Sequence, residues 1–547
     1  MSILDTRVIS SLEKVFPDCE LQAAEWKKGS MLSNEVYTFQ IAYKWNSLLK
    51  KGVKLHVVST IASSVTMYSV GLMPVEMPAY GDHDDNVLRG KPGMYPDILY
   101  PICPDGLVLL PHQWRSLWIT VNPKGKVPPG EYTIEVLFET KEGDLLARES
   151  FEIEIIGMEL PKQKLIFTQW FHSDCIATWY KTEVFSEEHW KLLERYVKTA
   201  AAHGINMILT PVFTPPLDTA VGGERPTVQL VDVKKTQDTY SFNFDKLTRW
   251  VNMCKANGIE YFEISHLFTQ WGAKHAPKIM ADVDGEYKRI FGWETDAAGE
   301  DYKHFLDCFL PALVSYIKEN GLADRCFFHI SYEPGKDHLE SYAKAGSIIM
   351  EHVKDFPVID ALSDYEFYKN GLVKNPIPAN NHIEPFLENN VPNLWTYYCC
   401  GQYKKVSNRF IDMPSARNRI IGLQLYKFNI VGFLQWGHNF WYSHQSRYPI
   451  DPFRVADGGF WVPAGDAYSV YPGEDGPIES IRLDVFYDAL QDLRALNLLE
   501  QYIGKEETIK LLEKDMGKPL TFDEYPKDAQ WLLNKREEIN KKLKEFI

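Results

Sequence analysis

The feature that most constrains the fold of this chain is a regular alternation of short apolar runs with amphipathic segments, from about residue 160 to about residue 440. Runs such as "KLIFTQWF", "INMILTPVF", "IEYFEISHLF" and "RCFFHISYEP" predict strands, and segments such as "SEEHWKLLERYVKTAAAHG" predict the helices between them. Glycine follows several helices, in "AAHGIN", "KANGIE" and "KENGLADR", where a left-handed cap needs it. This repetition predicts parallel strands joined by right-handed crossovers.

The number of these units favours a closed barrel over an open sheet. Seven or eight units in about 330 residues suit a (β/α)8 barrel with insertions. An open doubly wound sheet would carry a glycine-rich phosphate loop after its first strand, and "FTQWFHSD" contains none. The long loops follow the strands, so we expect the functional site at the C-terminal mouth of the barrel.

The residues before the barrel have a different pattern. Between Glu35 and Gly157, runs of period two such as "GEYTIEVLFET" alternate with Gly, Pro and Asp turns, which is typical of an antiparallel sandwich. We therefore predict a multidomain α/β protein. Its parts are an N-terminal antiparallel β-sandwich domain with a short leading helix in residues 1–158, a catalytic (β/α)8 TIM-like barrel in residues 159–500 and a C-terminal helical extension in residues 501–547.

Charge and composition exclude several functions. The net charge is −15 and the basic residues are scattered, so we expect no nucleic-acid partner. No run approaches the ~20 apolar residues that span a bilayer, and the N-terminus lacks a signal-peptide pattern. We expect a cytoplasmic enzyme with no membrane partner, and the oligomeric state stays open. The eight cysteines show no CxxC spacing, which predicts free buried thiols.

Aromatic residues make up 13% of the chain, and many of them lie beside Gly, Asn, His or Pro. Such rings form either flat platforms for sugars or bases, or ordinary core. The sequence leaves both interpretations open.

Polar residues at the C-terminal ends of the barrel strands are the candidate site residues, because these ends converge on one pocket. They comprise acids, amides, indoles, phenols and imidazoles, namely Gln169, Trp170, His172, Asp174, Glu263, His266, Trp271, His329, Tyr332, Glu333, Asp360, Asp364, Trp395, Tyr397, Tyr398, Gln435, Trp436, His438, Asn439 and Trp441. No histidines have H-x-x-x-H or H-x-H spacing, so we expect no metal and no cofactor. No G-x-S-x-G elbow is present either.

Glu333 is the strongest candidate for a general acid. It ends the apolar run in "FFHISYEPG", where partial desolvation raises the pKa of a carboxyl and keeps a proton available for a leaving oxygen. The alternative is a structural role, either in an ion pair with Lys or Arg or in capping the turn before Pro334.

Three phrases of the sequence resemble glycoside hydrolase family 123, the β-N-acetylgalactosaminidases and their relatives. "FHISYEP" resembles a catalytic strand end of that family, "GFLQWGHNFW" its glycine, Trp and Asn-x-Trp phrase, and "VYPGEDGPIESIRLDVFYDALQD" its hallmark segment. The likeness covers roughly residues 160 to 500. It implies a β-sandwich followed by a (β/α)8 barrel. It also implies hydrolysis with retention, in which the substrate's own 2-acetamido oxygen attacks the anomeric carbon.

The resemblance assigns roles through an adjacent Asp-Glu pair. The acid/base role falls on Glu333, but the aspartate that would hold the acetamido nitrogen is replaced by Tyr332. A phenol with a pKa of about 10 is neutral at pH 7, so it provides less electrostatic stabilisation than an anion. Arg482, in the hallmark segment, is expected to be structural.

Three interpretations of Tyr332 stay open. In the first, Tyr332 orients the acetamido group with help from the charge of Asp360, Asp364 or Glu263. In the second, the sugar lacks an acetamido group or another nucleophile acts, such as Asp360 or Glu263. In the third, the protein binds glycans with little catalysis.

We predict an exo-acting glycoside hydrolase of the β-N-acetylgalactosaminidase type, acting on a small glycan or glycoside. Its catalytic residues are Glu333 and Tyr332, and its sugar subsite is formed by Trp436, Asn439, Trp441, His438, Trp395, Tyr397, Asp360, Glu263 and His172. A glycosidase for a non-acetamido sugar and a catalytically weak carbohydrate-binding protein are the alternatives.

Overall fold

The computed structural model describes residues 3–547 and begins with two packed β-sheets. Their strands are β1 Leu4–Ser10, β2 Lys28–Leu32, β3 Tyr37–Trp45, β4 Lys50–Val58, β5 Val65–Val75, β6 Gly93–Pro101, β7 Leu107–Leu109, β8 Trp114–Val121, β9 Gly130–Glu139 and β10 Leu145–Ile156. The strand orders are β1-β3-β8-β5-β6 and β2-β10-β9-β4-β7. All neighbours pair antiparallel except β2 with β10. Period-two alternation buries rows such as Phe39 and Ile41 against Val136 and Phe138 in one shared core.

The short leading helix predicted at the N-terminus is wrong. Residues Leu4–Ser10 form strand β1, which pairs antiparallel with β3 from Leu4 opposite Trp45 to Ser10 opposite Phe39. This segment buries Leu4, Val8 and Ile9, and pairing with an existing sheet edge satisfies its backbone groups. Its amphipathic spacing therefore reflects packing on a sheet.

The second part of the chain alternates strands and helices, as predicted. Its elements are β11 Ile166–Gln169, α1 Ser173–Tyr180, α2 Glu187–Ala202, β12 Met207–Thr210, β13 Asp232–Thr236, β14 Thr239–Asn243, α3 Asp245–Ala256, β15 Tyr261–Ile264, β16 Ile279–Val283, β17 Glu286–Phe291, α4 Glu300–Glu319, β18 Cys326–Phe327, α5 Leu339–Val353, β19 Ile359–Ala361, α6 Tyr365–Lys369, β20 Asn375–Ile377, α7 Glu384–Glu388, β21 Trp395–Tyr397, α8 Ser415–Arg419, α9 Ile421–Lys427, β22 Gly432–Gln435, β23 Tyr471–Pro472, β24 Pro477–Ile478, α10 Ile481–Glu513 and α11 Ala529–Lys544. Gly204, Gly258 and Gly321 follow α2, α3 and α4 with positive φ, which confirms the predicted helix ends.

The parallel strands form a curled sheet of order β18-β15-β12-β11-β22-β21 and a separate pair, β19-β20. Single parallel bridges link this pair to the curled sheet, from Phe328 to Val358 on one side and from Ala379 to Tyr397 on the other. The predicted α/β architecture is confirmed, but the hydrogen-bonded ladder of a full eight-stranded barrel is not continuous through β19 and β20. The C-terminal ends of these strands, with the loops that follow them, are called the mouth below.

Contacts between the two parts of the chain hold the sandwich against the mouth. Arg482, at the start of α10, bonds both oxygens of Asp97 in β6 at 2.9 Å and donates to the carbonyls of Gly465 and Tyr468 at 2.6 and 2.8 Å. This buried pair supports the structural role expected for Arg482. At the C-terminal end, α11 packs on β2.

The cysteines are free thiols, as predicted, but Cys19 and Cys103 are exposed and not buried. No helix within residues 3–547 combines the length and apolarity needed to cross a membrane.

Candidate active site

Glu333 lies at the rim of the mouth, in the loop between β18 and α5. Its φ of 44° is left-handed, and its N–H donates to the carbonyl of Ala361 at the end of β19, at 3.0 Å. The half-buried carboxylate accepts a hydrogen bond from the Tyr397 hydroxyl at 2.7 Å. Burial raises the pKa of Glu333, and this hydrogen bond partly opposes the rise. No ion pair of Glu333 is found among the described side chains.

Tyr332 points into the apolar interior beside the mouth. Its ring packs edge-on to Trp170 at 5.0 Å between centroids, and its carbonyl accepts the N–H of Trp271 at 3.0 Å. Burial, followed by the charge of Glu333, raises the pKa of this phenol well above its ordinary value. Tyr332 is therefore neutral and supplies no anion.

Asp218, in the loop after β12, is a site residue that the sequence reasoning missed. Its side chain is 6% exposed, its N–H donates to Gln270 Oε1 at 2.7 Å, and its carbonyl accepts from the Ser446 hydroxyl at 2.7 Å. Burial, and then the negative charge of Glu333, raises the pKa of Asp218 to about 7. The signal was available, because "TPPLD" follows a predicted strand, but the sequence reasoning drew no candidate from that strand end.

Asp466, in the loop between β22 and β23, is a second missed carboxylate. It is fully buried and accepts hydrogen bonds from Trp436 Nε1 at 2.9 Å and Gln435 Nε2 at 3.2 Å. Burial raises the pKa of Asp466 to about 6, against the opposing charge of Arg409. Trp436, a predicted subsite residue, is thereby fixed in orientation at the mouth, with 4% of its surface exposed.

Glu263 and Asp360 lie deeper, on the inner face of the sheet, on either side of His329. His329 Nε2 is 2.6 Å from Glu263 Oε1, and its Nδ1 is 3.2 Å from Asp360 Oδ1. Although burial lowers it, hydrogen bonds and charges from the two carboxylates raise the pKa of His329 to about 9. Thr168 and Trp170 complete the hydrogen bonding of Glu263 at 2.8 and 2.7 Å.

All three members of this ionic cluster are at most 1% exposed. Glu263 and Asp360 are therefore bound to His329 and do not reach a ligand at the rim. Asp364 instead caps the first turn of α6, accepting the N–H of Glu366 at 3.1 Å.

His266 lies against this cluster but does not complete a metal site. Its ring stacks on His329 with centroids 4.1 Å apart, and both of its nitrogens lack partners among the described residues. Two parallel stacked rings do not point their lone pairs at one ion, and both nitrogens of His329 already bond carboxylates.

His172 and Asn439 form part of the support of the mouth. The Asn439 amide accepts from the backbone N–H of His172 at 2.9 Å and donates to its carbonyl at 3.0 Å. The His172 ring lies 3.1 Å from both the carbonyl of Trp436 and the guanidinium of Arg225, which is paired with Asp174. Burial, then the charge of Arg225, lowers the pKa of His172 to about 3, so this ring is neutral.

His438 and Trp441 are also buried, on the other side of this support. The His438 ring stacks on Phe171 with centroids 6.1 Å apart, and burial lowers its pKa to about 3. Trp441 donates to the carbonyl of Val470 at 3.3 Å and lines, with Trp179, a separate cleft of about 460 Å³.

The aromatic residues of β21 divide between the two faces of the sheet. Trp395 and Tyr397 face inward, Trp395 against Phe327 at 5.9 Å and Tyr397 toward Glu333. Tyr398 faces outward, with its hydroxyl 3.4 Å from Asn418 of α8. The structure thus brings Glu333, Tyr332, Tyr397 and Trp436 to the mouth together with the unpredicted Asp218 and Asp466.

This arrangement suits acid–base chemistry at an ether oxygen. Two carboxyls from different loops, Glu333 and Asp218, interact electrostatically, and burial raises the pKa of both. A proton donor with a pKa near the working pH is what the cleavage of an acetal bond requires.

Comparison with known proteins identifies the family of this region. Residues 170–499 match the model of the glycoside hydrolase 123 catalytic domain. A family 123 glycoside hydrolase from Clostridium perfringens, studied for glycolipid glycan hydrolysis, superposes with a TM-score of 0.75 at 15% identity, covering 100% of this chain and 99% of that one. This likeness supports the fold.

Other structural matches are remote. A Parabacteroides merdae β-glucuronidase gives a TM-score of 0.31 at 12% identity, over 89% of this chain and 52% of the other. A cyclomaltodextrinase gives a TM-score of 0.31 at 11% identity, over 85% of this chain and 84% of the other. No curated protein sequence matches the chain.

Proposed function

Because the chain belongs to glycoside hydrolase family 123 and is a glycoside hydrolase, we propose that it removes terminal β-linked N-acetylhexosamine, with N-acetylgalactosamine favoured, from small glycans or glycosides. The reaction proceeds with retention through the substrate's own acetamido group, and Glu333 is the acid and then the base.

The observation that carries this proposal is the environment of Glu333. Its carboxyl is half-buried in the loop after β18, has a raised pKa and accepts a hydrogen bond from Tyr397. A raised pKa favours the protonated form of a carboxyl, and a half-buried one remains accessible to a leaving oxygen.

In the first step the Glu333 proton goes to the glycosidic oxygen while the bond from that oxygen to the anomeric carbon breaks. The acetamido oxygen forms the new bond to the anomeric carbon, which gives an oxazolinium ion and the free alcohol. In the second step the Glu333 carboxylate takes a proton from water, whose oxygen attacks the anomeric carbon and reopens the ring. Two inversions at that carbon give net retention.

The fold is consistent with this site. We propose that the parallel strands β11, β12, β15, β18, β19, β20, β21 and β22 act as one (β/α)8 barrel, closed by the bridges on either side of β19 and β20. The loops after these strands then converge above one mouth. We further propose that Trp436 and Tyr397 line the sugar subsite and that Tyr332 offers a neutral hydrogen bond.

A panel of nitrophenyl glycosides tests the proposal. We expect release from the β-N-acetylgalactosaminide, and a loss of at least ~10²-fold in kcat/KM in Glu333→Gln. Glu474→Gln, at an exposed glutamate, is the matched control and retains activity. If the wild-type protein cleaves no glycoside but is thermally stabilised by glycans, it is a binding protein and the proposal is wrong.

A glycosidase for sugars without an acetamido group is the second candidate, and the neutral Tyr332 favours it. Such an enzyme needs a carboxylate nucleophile, so a 2-fluoro sugar would leave a covalent adduct detectable by mass spectrometry. An adduct would contradict substrate assistance.

A further inference from the structure

The proposed reaction lacks an anion at position 332. The oxazolinium ion carries a positive charge, and Tyr332 is a neutral phenol that burial keeps protonated. Glu263 and Asp360 are bound to the buried His329. Asp466 accepts from the indole of Trp436 at 2.9 Å. These three buried carboxylates are therefore already engaged.

Asp218 is held beside the catalytic strand end by geometry. Gln270 accepts the N–H of Asp218 at 2.7 Å, and the next residue, Trp271, donates its own N–H to the carbonyl of Tyr332 at 3.0 Å. Two successive residues of one loop thus hold Asp218 and the residue that precedes Glu333. Asp218 itself has a φ of 44°, so the chain turns sharply at this point.

The carboxylate of Asp218 has no hydrogen-bond donor among the described residues, although the residue is 94% buried, with 6% of its surface exposed. A carboxylate without a donor can accept a hydrogen bond from a ligand. The backbone N–H and carbonyl of Asp218 itself are held by Gln270 and Ser446. A ligand N–H would satisfy the carboxylate.

We propose that Asp218 accepts the acetamido N–H of a bound 2-acetamido sugar and supplies the negative charge that position 332 lacks. This inference rests on the proposed N-acetylhexosaminidase function. In the ground state the hydrogen bond polarises the amide, which makes its oxygen a better nucleophile. As the bond from that oxygen to the anomeric carbon forms, positive charge develops on the nitrogen and the N–H···carboxylate bond strengthens. No proton needs to be transferred to Asp218.

Burial is the main cause that raises the pKa of Asp218, and the charges around it act in both directions. Glu333 and Asp466 are negative and favour its protonated form, whereas Arg225 is positive and favours the carboxylate. A bound substrate selects the productive arrangement, because its glycosidic oxygen accepts from Glu333 and its amide N–H donates to Asp218.

The test is Asp218→Asn, which preserves volume and tolerates the left-handed backbone. We expect kcat on aryl β-N-acetylgalactosaminides to fall by ~10²- to 10³-fold, as for removal of one charge-stabilising group. A dinitrophenyl leaving group, which needs no acid, restores activity to Glu333→Gln but not to Asp218→Asn. Calorimetry with a sugar thiazoline, a mimic of the bicyclic intermediate, shows at least ~10²-fold weaker binding to Asp218→Asn.

Asp284→Asn is the matched control. Asp284 is an exposed aspartate with a φ of 53°, in the turn between β16 and β17, and its substitution leaves both activity and thiazoline binding unchanged. If Asp218→Asn keeps the kcat and the thiazoline affinity of the wild-type enzyme, the proposed role of Asp218 is wrong. This holds even if Glu333→Gln is inactive. An equal loss on glycosides that lack the acetamido group would also overturn it. A wild-type protein that cleaves no N-acetylhexosaminide would instead refute the proposed function.

Discussion

Replacing Tyr397 by phenylalanine tests whether Glu333 is the acid whose proton the reaction uses. The hydroxyl of Tyr397 donates to Glu333 Oε1 at 2.7 Å, and the ring packs on the inner face of β21. Phenylalanine keeps the ring and removes the donor. A hydrogen bond to a charged group contributes about 1.5 to 3 kcal/mol, and one pKa unit corresponds to about 1.4 kcal/mol. The pKa of Glu333 should therefore rise by about 1 to 2 units.

The sign follows from the form that the hydrogen bond stabilises. Tyr397 stabilises the carboxylate of Glu333, so its loss favours the protonated acid. The acid must be protonated in the first step, so the alkaline limb of the profile of kcat/KM against pH moves to higher pH.

Tyr398→Phe is the control for this measurement, because Tyr398 is the next residue on the strand but faces outward, 3.4 Å from Asn418. The alkaline limb of the kcat/KM profile of Tyr398→Phe should coincide with that of the wild-type enzyme. If the alkaline limb of the Tyr397→Phe profile stays in place or moves to lower pH, the group whose deprotonation causes that limb is not Glu333.

The remaining predictions concern stability. Asp97→Asn leaves the buried guanidinium of Arg482 without its charge partner and should lower the free energy of unfolding by about 3 to 5 kcal/mol, measured in urea. Gly422→Ala places a methyl group 2.0 Å from the backbone oxygen of Ala489 where α9 meets α10, and should cost about 1 to 3 kcal/mol; an unchanged urea midpoint would contradict this close approach. The folded-state pKa of His329 is raised from 6.5 to about 9, so its contribution to stability is complete below pH 6.5 and is lost as pH rises through 9. Thermal melts should show this decline, and His329→Gln should show a smaller one.

Much of the fold was predictable because it depends on local patterns. The period-two run from Gly130 to Glu139 forms β9, and the helical segment that ends before Gly204 forms α2. The first strand was mistaken for a helix, because seven residues with three buried apolar positions fit either period, and only pairing with β3 decides between them.

The site was predictable only where a strand end carries the chemistry. Glu333 ends an apolar run, so its environment follows from its position in the sequence. Glu263 and Asp360 also lie on strands, but the sequence could not show that His329 lies between them and removes both from the mouth. Asp218 was missed although its loop follows a predicted strand, because no periodicity within a long loop indicates which way a side chain points.

The sequence by itself determined the alternation of strands and helices, the family to which the chain belongs and the proposal of Glu333 as the acid, because each depends on residues close together in the chain. The tertiary structure alone decided which carboxylates are available. Ser446 and Gln270, far apart in sequence, fix the backbone of Asp218 beside the mouth, and no donor to its carboxylate is found among the residues that the structure describes. Burial and charge act through space, so the pKa of a carboxyl and its freedom to meet a ligand depend on neighbours that only folding brings together.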